Sequence, residues 1–453
     1  MRVLHAPAWY PPHSIGGTEI YVRGLVAELQ TLGAKCVIAI PHREGLPRLY
    51  QHEGVDVITY PVNDQPSRRE LRGLQPPAGM KEFRAILGGG FDIYHQHALS
   101  RGCGLAHLLA AREAGLPTVL TVHTPNATCL RGTMMRQGKT PCDGRIDVRQ
   151  CSPCWASERG APRCVASATA LVPVQLAGAA ASLSGSGLPE IAARALTLIS
   201  ANDLVAAKRR DIATLRGAAD VVIAVCDWLE QALVTNGLEK DQLMRSRQGV
   251  DVALAAELQV LRRAPIRAGE RVSFGFIGRW HKTKGIDLAI RAFRRLSPAV
   301  NARLSIYATA QGSDGEAYRD QCLAIASSDA RISIYPAFTR AQLPAVLAGM
   351  DALLIPSRWL ETGPLVALEA MAAGVWVIGS AIGGLPELVA EGKNGTLVPA
   401  DDEASWTRTI NEFICNPQQP VRAQIRTMSD VASDMAKVYS RLRDVRMAAI
   451  GAG

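Results

Sequence analysis

Residues 272–285 read Val272-Ser-Phe-Gly-Phe-Ile-Gly-Arg-Trp-His-Lys-Thr-Lys-Gly285 and combine an apolar run with a basic loop. The first six are rich in apolar side chains and predict a buried strand, and the polar residues that follow predict a loop at its carboxyl end. Arg279 and Lys284 place two cations in this loop, and the glycines beside them let the backbone approach a ligand closely. The pattern therefore predicts a binding site for a diphosphate.

A second informative stretch is Glu361-Thr-Gly-Pro-Leu-Val-Ala-Leu-Glu369. Pro364 suits the first position of a helix, so we expect Glu361 in a loop and Glu369 about two turns into the helix that follows. The helix N-terminus then faces a phosphate while Glu369 accepts hydrogen bonds from a sugar diol. Together the two stretches predict a nucleotide-sugar site.

These residues resemble the pattern of the retaining GT-B glycosyltransferases of family 4. In that pattern Gly-Arg and Lys-Gly on one loop accompany two glutamates separated by seven residues, and Arg279, Lys284, Glu361 and Glu369 fit it. A single pair of glutamates at this spacing would be weak evidence. The order and the context of the four residues give the resemblance its weight.

The resemblance extends into the first half of the chain. Pro11-Pro12 and the stretch 15–19, Ile-Gly-Gly-Thr-Glu, follow the first predicted strand, and His123 ends the apolar run that begins at Pro117. Nearly the whole chain is covered, except for an insert at about 124–217 that departs from the family pattern.

The resemblance implies a GT-B fold, with two doubly wound domains facing a cleft and a last helix that crosses back to the first domain. It implies retaining transfer of a sugar from a UDP- or GDP-sugar to an acceptor, which is a glycan, a lipid or a small molecule. No cofactor is expected for the transfer. The implied catalytic residues are His123 and Glu361, and the implied donor-binding residues are Gly17, Arg279, Lys284, Gly363 and Glu369.

His95 and His97 are candidates for the acceptor side because they end a predicted strand. Ordinary polar residues that cap a strand are the alternative for this pair. From sequence alone, His123 also fits a core histidine, and the family position is what favours a contact with the donor sugar.

Short apolar runs alternate with amphipathic stretches along the chain, which is typical of an α/β protein with parallel sheets. We expect an N-terminal acceptor-binding domain at 1–260, a C-terminal nucleotide-sugar domain at 268–420, and a terminal helix at 421–447, with a linker at 261–269. The predicted strands are 3–6, 36–40, 55–60, 91–96, 118–123 and 221–225 in the first domain, and 272–277, 304–307, 332–335, 352–356 and 375–379 in the second.

Composition limits the partners. The 453 residues are 48% hydrophobic, which is enough for two or three globular domains, and the formal net charge is +9. Because the basic residues are spread along the chain, we expect an anionic donor and peripheral contact with an anionic membrane, and no nucleic acid. A solvated basic exterior is the alternative to membrane contact. No secretion signal precedes the first strand, so we expect a cytoplasmic protein, peripheral at the inner membrane face.

Other sites fit the sequence less well. The pair Gly16-Gly17 lacks the third glycine of a dinucleotide fingerprint, so a nicotinamide dehydrogenase is disfavoured, and a plain strand-to-helix turn is the alternative to ligand binding there. A metal-dependent GT-A mechanism is disfavoured because no Asp-x-Asp pair precedes a loop. The remaining alternatives to a glycosyltransferase are a phosphorylase or nucleotide-sugar epimerase of the same fold, and a non-catalytic zinc- or redox-regulated protein that binds nucleotide sugars.

The insert holds five of the ten cysteines within 36 residues. We expect Cys129, Cys142, Cys151 and Cys154 to bind a structural zinc ion, with Cys164 as a substitute for one of the upstream pair. A redox or disulfide role, an iron-sulfur cluster and unliganded thiols remain as alternatives. The uncharged stretch 165–189 that follows predicts a helical cover over the acceptor cleft, a shallow membrane-contacting element or a packed insertion.

Overall fold

The structure is a computed structural model. It describes the chain apart from residues 15, 44–46, 64–66, 68–69, 71–74, 101, 184–188, 262–265, 267–268, 422–424 and 452–453, and apart from the side chains of 449–451. The chain forms two compact units. The first unit is Met1–Arg247 with Ser429–Gly453, and the second unit is Gln248–Met428.

The first unit is built on an eight-stranded sheet in the order β10-β9-β6-β5-β1-β2-β4-β3, in which only β3 runs antiparallel to its neighbour. Its central strands are buried on both faces, as expected for a parallel sheet covered by helices. The strands of this unit, including the short hairpin β7–β8, are β1 Arg2–Ala6, β2 Lys35–Pro41, β3 Leu49–His52, β4 Val55–Tyr60, β5 Ile93–Gln96, β6 Thr118–Val122, β7 Met135–Arg136, β8 Thr140–Pro141, β9 Val221–Ala224 and β10 Leu243–Arg245.

Helices cover both faces of this sheet and form most of the insert. They are α1 Gly17–Thr31, α2 Met80–Leu87, α3 Leu105–Glu113, α4 Val148–Glu158, α5 Arg163–Thr169, α6 Val174–Leu183, α7 Glu190–Ile199, α8 Ala201–Ala218 and α9 Asp227–Thr235.

The second unit contains a six-stranded parallel sheet in the order β13-β12-β11-β14-β15-β16. Numbered within the unit this order is 3-2-1-4-5-6, which is the doubly wound arrangement with its switch point between the first and fourth strands. The strands are β11 Val272–Arg279, β12 Ala302–Thr309, β13 Ile332–Tyr335, β14 Ala352–Ile355, β15 Trp376–Ser380 and β16 Gly395–Val398.

The helices of the second unit bury apolar faces against both sides of its sheet. One core contains Phe274, Phe293, Trp376 and Trp406, and the other lies around Leu353 on the opposite face. The helices of this unit are α10 Val252–Val260, α11 Ile286–Arg294, α12 Gly312–Ala326, α13 Leu343–Ala348, α14 Leu365–Ala372, α15 Leu385–Leu388 and α16 Glu403–Cys415. The last helix, α17 Met428–Gly451, belongs to the first unit from Ser429 onward.

The predicted α/β fold with two doubly wound domains is confirmed, and each predicted strand is present. The division between units falls at Arg247, before the predicted boundary at 260, because Leu254 and Leu258 of α10 pack in a core with Leu347 of the second unit. Most of the predicted linker lies outside the described residues. The terminal helix begins at Met428, later than the predicted residue 421.

No single helix among the described residues has both the length and the apolar composition to cross a bilayer. Helices α5 and α6 meet these criteria only as a pair, and a bend of 108° separates them.

Candidate active site

The predicted donor residues of the second unit lie at the switch point of its sheet. Arg279 is the last residue of β11, and Lys284 ends the 3-10 turn Lys282–Lys284 that follows it. Glu361 lies in the loop after β14, the strand that pairs with β11 on its other side. In doubly wound sheets the carboxyl ends of the strands at this point form the ligand crevice.

A close backbone approach brings these two loops together. Gly285 has φ +67°, and a Cβ at this position would lie 2.0 Å from the carbonyl oxygen of Pro356, so only glycine fits. The amide of Arg358 also donates to the carbonyl oxygen of Thr283 at 2.7 Å. The loop that carries Lys284 is therefore held against the loop that leads to Glu361.

A bidentate ion pair reinforces this contact. The guanidinium of Arg358 donates to both carboxylate oxygens of Asp287, at 2.6 and 3.0 Å. Burial raises the pKa of Asp287, but the hydrogen bonds from Arg358 and Tyr318 outweigh it and hold this pKa at about 2. Asp287 lies in the first turn of α11, so the pair fixes that helix to the Glu361 loop.

Lys284 and Glu361 form a partly buried ion pair, in which the glutamate is buried and the lysine is 19% exposed. The Nζ atom of Lys284 lies 2.6 Å from Oε1 of Glu361, and the Ser357 hydroxyl donates to the same oxygen at 2.7 Å. Burial raises the pKa of Glu361, but the charge and hydrogen bond of Lys284 and the hydrogen bond from Ser357 reverse the shift and hold this pKa below its ordinary value. Glu361 is therefore a charged group inside the site.

A glycine turn surrounds the backbone of Glu361. Gly383 has φ +66°, and a Cβ there would lie 2.6 Å from the amide nitrogen of Glu361. The Gly384 amide donates to the Glu361 carbonyl oxygen at 2.6 Å. Packing against the Glu361 loop accounts for both glycines.

Glu369 lies on α14, which begins at Leu365 with Pro364 as the residue before it, so Glu369 is the fifth residue of the helix. It therefore lies little more than one turn into the helix, closer to its start than the sequence predicts, and the helix begins after Pro364, whose backbone is extended. The Nη1 atom of Arg340 lies 2.6 Å from Oε1 of Glu369, so the two side chains form an ion pair. The angles between them do not meet the criteria for a hydrogen bond. Burial raises the pKa of Glu369, and Arg340 opposes this shift. Gly363, with φ +115°, forms the turn between the two glutamates.

Arg279 is held beside the start of α12. Its Nη1 atom donates to Oε1 of Gln311 at 2.8 Å, and Gln311 is the residue that precedes α12. Because Gln311 follows β12, the guanidinium lies at the carboxyl edge of the sheet on the β12 side of β11.

The first unit contains its own cavity, of about 160 Å³, at the carboxyl ends of β1, β5 and β6. His97 and His123 line it, together with Trp9, Glu19 and Asn126. Gly17 is the first residue of α1, and a Cβ at this position would meet no atom within 4 Å. Gly17 is not among the residues that line the cavity, whereas Thr18 and Glu19, which follow it, are.

A chain of imidazole rings leads to this cavity from the core. Nδ1 of His5 lies 3.1 Å from Nε2 of His97, and Nδ1 of His97 lies 3.4 Å from Nε2 of His123. Burial lowers the pKa of His5 and of His123 to about 3. Burial also holds the pKa of His97 well below its ordinary value, so these rings are neutral at physiological pH.

His95 is fully buried behind His97 and is not among the residues that line the cavity. Its Nδ1 atom lies 2.5 Å from the Tyr439 hydroxyl of α17, and its Nε2 atom lies 2.7 Å from Oγ1 of Thr121. The potential ligand nitrogens of His5, His95 and His97 lie within 4.8 Å of one another. Because both nitrogens of His95 are already hydrogen-bonded, this group fits a structural network better than a metal site.

The cysteines expected to bind zinc line one small cavity of about 30 Å³ in the insert. Cys129 lies beyond the 3-10 turn Pro125–Ala127, Cys142 directly follows β8, and Cys151 and Cys154 lie on α4. Cys164 is exposed on α5 and is not among the residues that line this cavity.

Sequence reasoning missed several residues of these sites. His5 had a visible signal, since it is a polar residue in a short apolar strand, whereas Tyr439 and Arg340 lie on segments whose patterns predict only helices and turns. Their roles depend on tertiary contacts that no local pattern encodes.

Comparison with known families agrees with this arrangement. A family described as glycosyl transferase 4-like domain matches residues 16–248, just over half of the chain, and one described as glycosyl transferases group 1 matches residues 260–428. The chain belongs to the glycosyl transferase 4-like family. The candidate residues Arg279, Lys284, Glu361 and Glu369 lie in the region that matches the group 1 description, whereas Gly17 lies in the other region.

Curated relatives of this glycosyl transferase 4-like chain match it at different lengths. The D-inositol 3-phosphate glycosyltransferase of Mycobacteroides abscessus is 35% identical over 150 residues, which is 33% of each chain. The protein of the same name from Mycobacterium ulcerans is 34% identical over 39% of this chain and 36% of its own. The match thus spans about a third of the length of these relatives. The alpha-maltose-1-phosphate synthase of Mycolicibacterium smegmatis is 26% identical over 92% of this chain and 91% of its own.

Solved structures share the fold of this glycosyl transferase 4-like chain. Sucrose-phosphate synthase from Thermosynechococcus elongatus has a TM-score of 0.61 at 18% identity, over 98% of this chain and 100% of its own. Anabaena HepE in complex with UDP-glucose has a TM-score of 0.57 at 16% identity, over 100% of both chains. The fold is GT-B.

Proposed function

We propose that the chain is a retaining glycosyltransferase that uses a UDP- or GDP-sugar as donor. The observation that carries the proposal is the arrangement of Lys284 and Glu361 at the switch point of the second sheet, with Arg279 at the end of the neighbouring strand. Two cations suit a diphosphate, because charge-assisted hydrogen bonds to phosphate are among the strongest in proteins. HepE is bound to UDP-glucose in a solved structure of similar fold, which supports a donor of this class.

Each residue has a distinct proposed role. Arg279 and Lys284 bind the diphosphate, and Glu369 accepts hydrogen bonds from the ribose diol. Glu361 stays charged and orients Lys284 beside the transferred sugar. His123, which is neutral and lines the cavity of the first unit, stabilises the charge that develops on the sugar in the transition state.

The acceptor is proposed from the relatives and from the size of the cavity. Relatives named D-inositol 3-phosphate glycosyltransferase and alpha-maltose-1-phosphate synthase support a phosphorylated polyol or sugar among the acceptors to be tested. The cavity of about 160 Å³ beside His97 suits a small polar group, which includes the reacting end of a longer glycan or lipid-linked acceptor.

We also propose that the protein is cytoplasmic and contacts an anionic membrane through its insert. Large aliphatic side chains are exposed on α6 and α7, with Leu176 61% and Ile191 86% exposed. Arg159 and Arg194 line a shared depression beside these helices together with Glu158, so the depression carries a net positive charge of about one. Exposed aliphatic groups next to basic residues favour shallow binding to a bilayer that contains anionic lipid.

Vesicle flotation tests the membrane proposal. The wild-type protein should float with vesicles that contain phosphatidylglycerol. The double variant that combines Leu176→Asp and Ile191→Asp should not float. Leu49→Asp is the matched control, since Leu49 is also exposed but lies on the edge strand β3. Equal flotation of all three proteins would contradict the role of the insert.

A donor and acceptor panel tests the transferase proposal. UDP- and GDP-sugars are each incubated with inositol phosphate, sugar phosphates and glycans, and release of nucleoside diphosphate is followed with the mass of the product. Release that depends on an acceptor supports transfer. Conversion of the nucleotide sugar without any acceptor would favour an epimerase, and transfer to inorganic phosphate would favour a phosphorylase. Binding without turnover would favour a non-catalytic protein.

A further inference from the structure

We propose that Cys129, Cys142, Cys151 and Cys154 bind one zinc ion, and that this ion holds the wall of the His123 cavity in place. The four cysteines come from three separate segments and line the same small cavity. No three of their sulfur atoms, all of which the structure describes, lie within 4.8 Å of one another, so one ion would draw them closer together. Cys151 and Cys154 are three residues apart on α4, so they lie on the same face of the helix.

The surrounding backbone provides hydrogen bonds that suit metal-bound thiolates. The amide of Gln137 donates to Sγ of Cys154 at 3.1 Å, and the backbone of Gly144 hydrogen-bonds to Cys142. Gly144 has φ +77°, and a Cβ there would lie 2.6 Å from the Cε atom of Met134. The turn after Cys142 therefore requires glycine, because its backbone packs against Met134 in a left-handed conformation.

Charge around the cavity also suits a four-thiolate site. Four thiolates with one Zn²⁺ carry a net charge of about −2, which needs compensation when partly buried. Arg131, Arg136 and Arg145 all line the cavity, and Arg131 donates to the carbonyl oxygen of Cys154 at 3.1 Å. These three guanidinium groups offset the excess negative charge.

The size of the cavity favours a single ion. A volume of about 30 Å³ holds one small ion or water, whereas a four-iron cluster needs far more space. Zinc takes four thiolates in a tetrahedral shell, which matches the number of cysteines that line the cavity. Cys164 lies outside this set because it is exposed on α5.

The zinc site is connected to the cavity of the first unit by a short stretch of chain. The Cys129 amide donates to the carbonyl oxygen of Pro125 at 2.8 Å, so Cys129 is fixed to the 3-10 turn that contains Asn126. Thr124 and Asn126 line the His123 cavity, and Lys208 of α8 donates to the Asn126 carbonyl oxygen at 2.8 Å. A zinc ion bound to Cys129 therefore also fixes the part of the cavity wall that contains Thr124 and Asn126. The expectation that this affects transfer activity rests on the proposed function.

Metal analysis of protein purified without a histidine tag tests the proposal. Wild-type protein should contain about one zinc per chain, and Cys151→Ser and Cys154→Ser should each lose most of it and melt at a lower temperature. Cys164→Ser is the matched control and should keep both its zinc and its melting temperature. Less than about half an equivalent of zinc in the wild type, or stoichiometric iron in its place, would overturn the proposal.

Cobalt substitution keeps the test decisive if the variants fail to fold. Wild-type protein grown with cobalt should show the strong visible absorption of a tetrahedral four-thiolate site and the ultraviolet thiolate-to-cobalt band. Absence of these bands, or a disulfide between Cys151 and Cys154 in freshly purified protein, would overturn it. UDP and GDP titrations on Cys151→Ser separate the two proposals, because donor binding in the second unit should persist when zinc is lost.

Discussion

Nζ of Lys284 lies 2.6 Å from Oε1 of Glu361, and this carboxylate is only 5% exposed. A partly buried pair of this kind is costly to break from one side, because the partner is left as an uncompensated charge. We expect a bound diphosphate to take over part of the interaction with Lys284, while Ser357 keeps its hydrogen bond to Glu361. The ion pair thus holds Lys284 in place before the donor arrives.

Replacing either cation should weaken donor binding. Lys284→Ala and Arg279→Ala should each lower the affinity for UDP or GDP, or the rate of transfer, by at least about tenfold, since a charge-assisted hydrogen bond contributes roughly 1.5 to 3 kcal/mol. Calorimetric titration with both nucleotides measures the loss. Lys282→Ala is the matched control, because Lys282 is exposed in the same turn. Unchanged affinity in the first two variants would remove the diphosphate assignment.

Glu369→Gln should raise the Michaelis constant for the donor and leave turnover largely unchanged. A group that contacts the ribose equally in the ground state and the transition state affects binding rather than rate. Steady-state kinetics decide this, with Glu412→Gln, an exposed residue of α16, as the control. A fall in turnover with an unchanged Michaelis constant would contradict the assignment.

The same residue should give donor binding a pH dependence. Because burial raises the pKa of Glu369, its carboxylate takes up a proton at a higher pH than an ordinary glutamate, and the protonated form is a weaker acceptor for the diol. Donor affinity in the wild type should therefore fall as the pH is lowered from 7.5 towards 5. This fall should be smaller in Glu369→Gln, and identical profiles would argue against the role.

His123→Ala should mainly lower turnover. The neutral ring lines the cavity and lies 3.4 Å from His97, and under the proposed function it acts on charge that develops in the transition state. Burial lowers the pKa of this ring to about 3, so we also expect no inflection in turnover from this histidine between about pH 5 and 8. Kinetics on His123→Ala and on the control His52→Ala, on edge strand β3, test this. Wild-type turnover in His123→Ala would make the histidine structural.

The buried histidines should make the first unit sensitive to acid. Burial lowers the pKa of His5 in the folded state to about 3, whereas an unfolded histidine takes up a proton below about 6.5. The unfolded state therefore binds more protons below pH 6.5, and the free energy of unfolding falls by up to about 1.4 kcal/mol per pH unit for each such ring. Denaturant titrations at pH 7.5, 6.5 and 5.5 measure the slope. His5→Gln should reduce it, and an unchanged slope would contradict the burial argument.

Much of the fold could be predicted from the sequence because its strands are short apolar runs bounded by turns. The apolar runs before Arg279 and before His123 predict two central strands. The alternation of apolar runs with amphipathic helical stretches predicts the doubly wound class. The short strands β3, β10 and β16 were missed, since segments of three or four residues with half-buried side chains carry little pattern.

The candidate site was predictable only as separate residues. Sequence spacing indicated Lys284, Glu361 and Glu369, but the ion pairs that they form depend on tertiary contacts across loops far apart in the chain. Arg340 is an example, since it lies 29 positions from Glu369 and follows a loop without a functional motif. Tyr439 reaches His95 from a helix 344 positions away.

An NMR measurement of the anomeric configuration of the product directly tests whether this protein is a retaining glycosyltransferase. The wild-type protein is incubated with the donor and acceptor that the panel identifies, and the anomeric proton of the transferred sugar is observed before any further reaction. We predict an α-linked product from an α-linked nucleotide sugar, with release of UDP or GDP. A β-linked product would contradict retention, and failure to consume any nucleotide sugar with any acceptor would contradict the assignment as a glycosyltransferase.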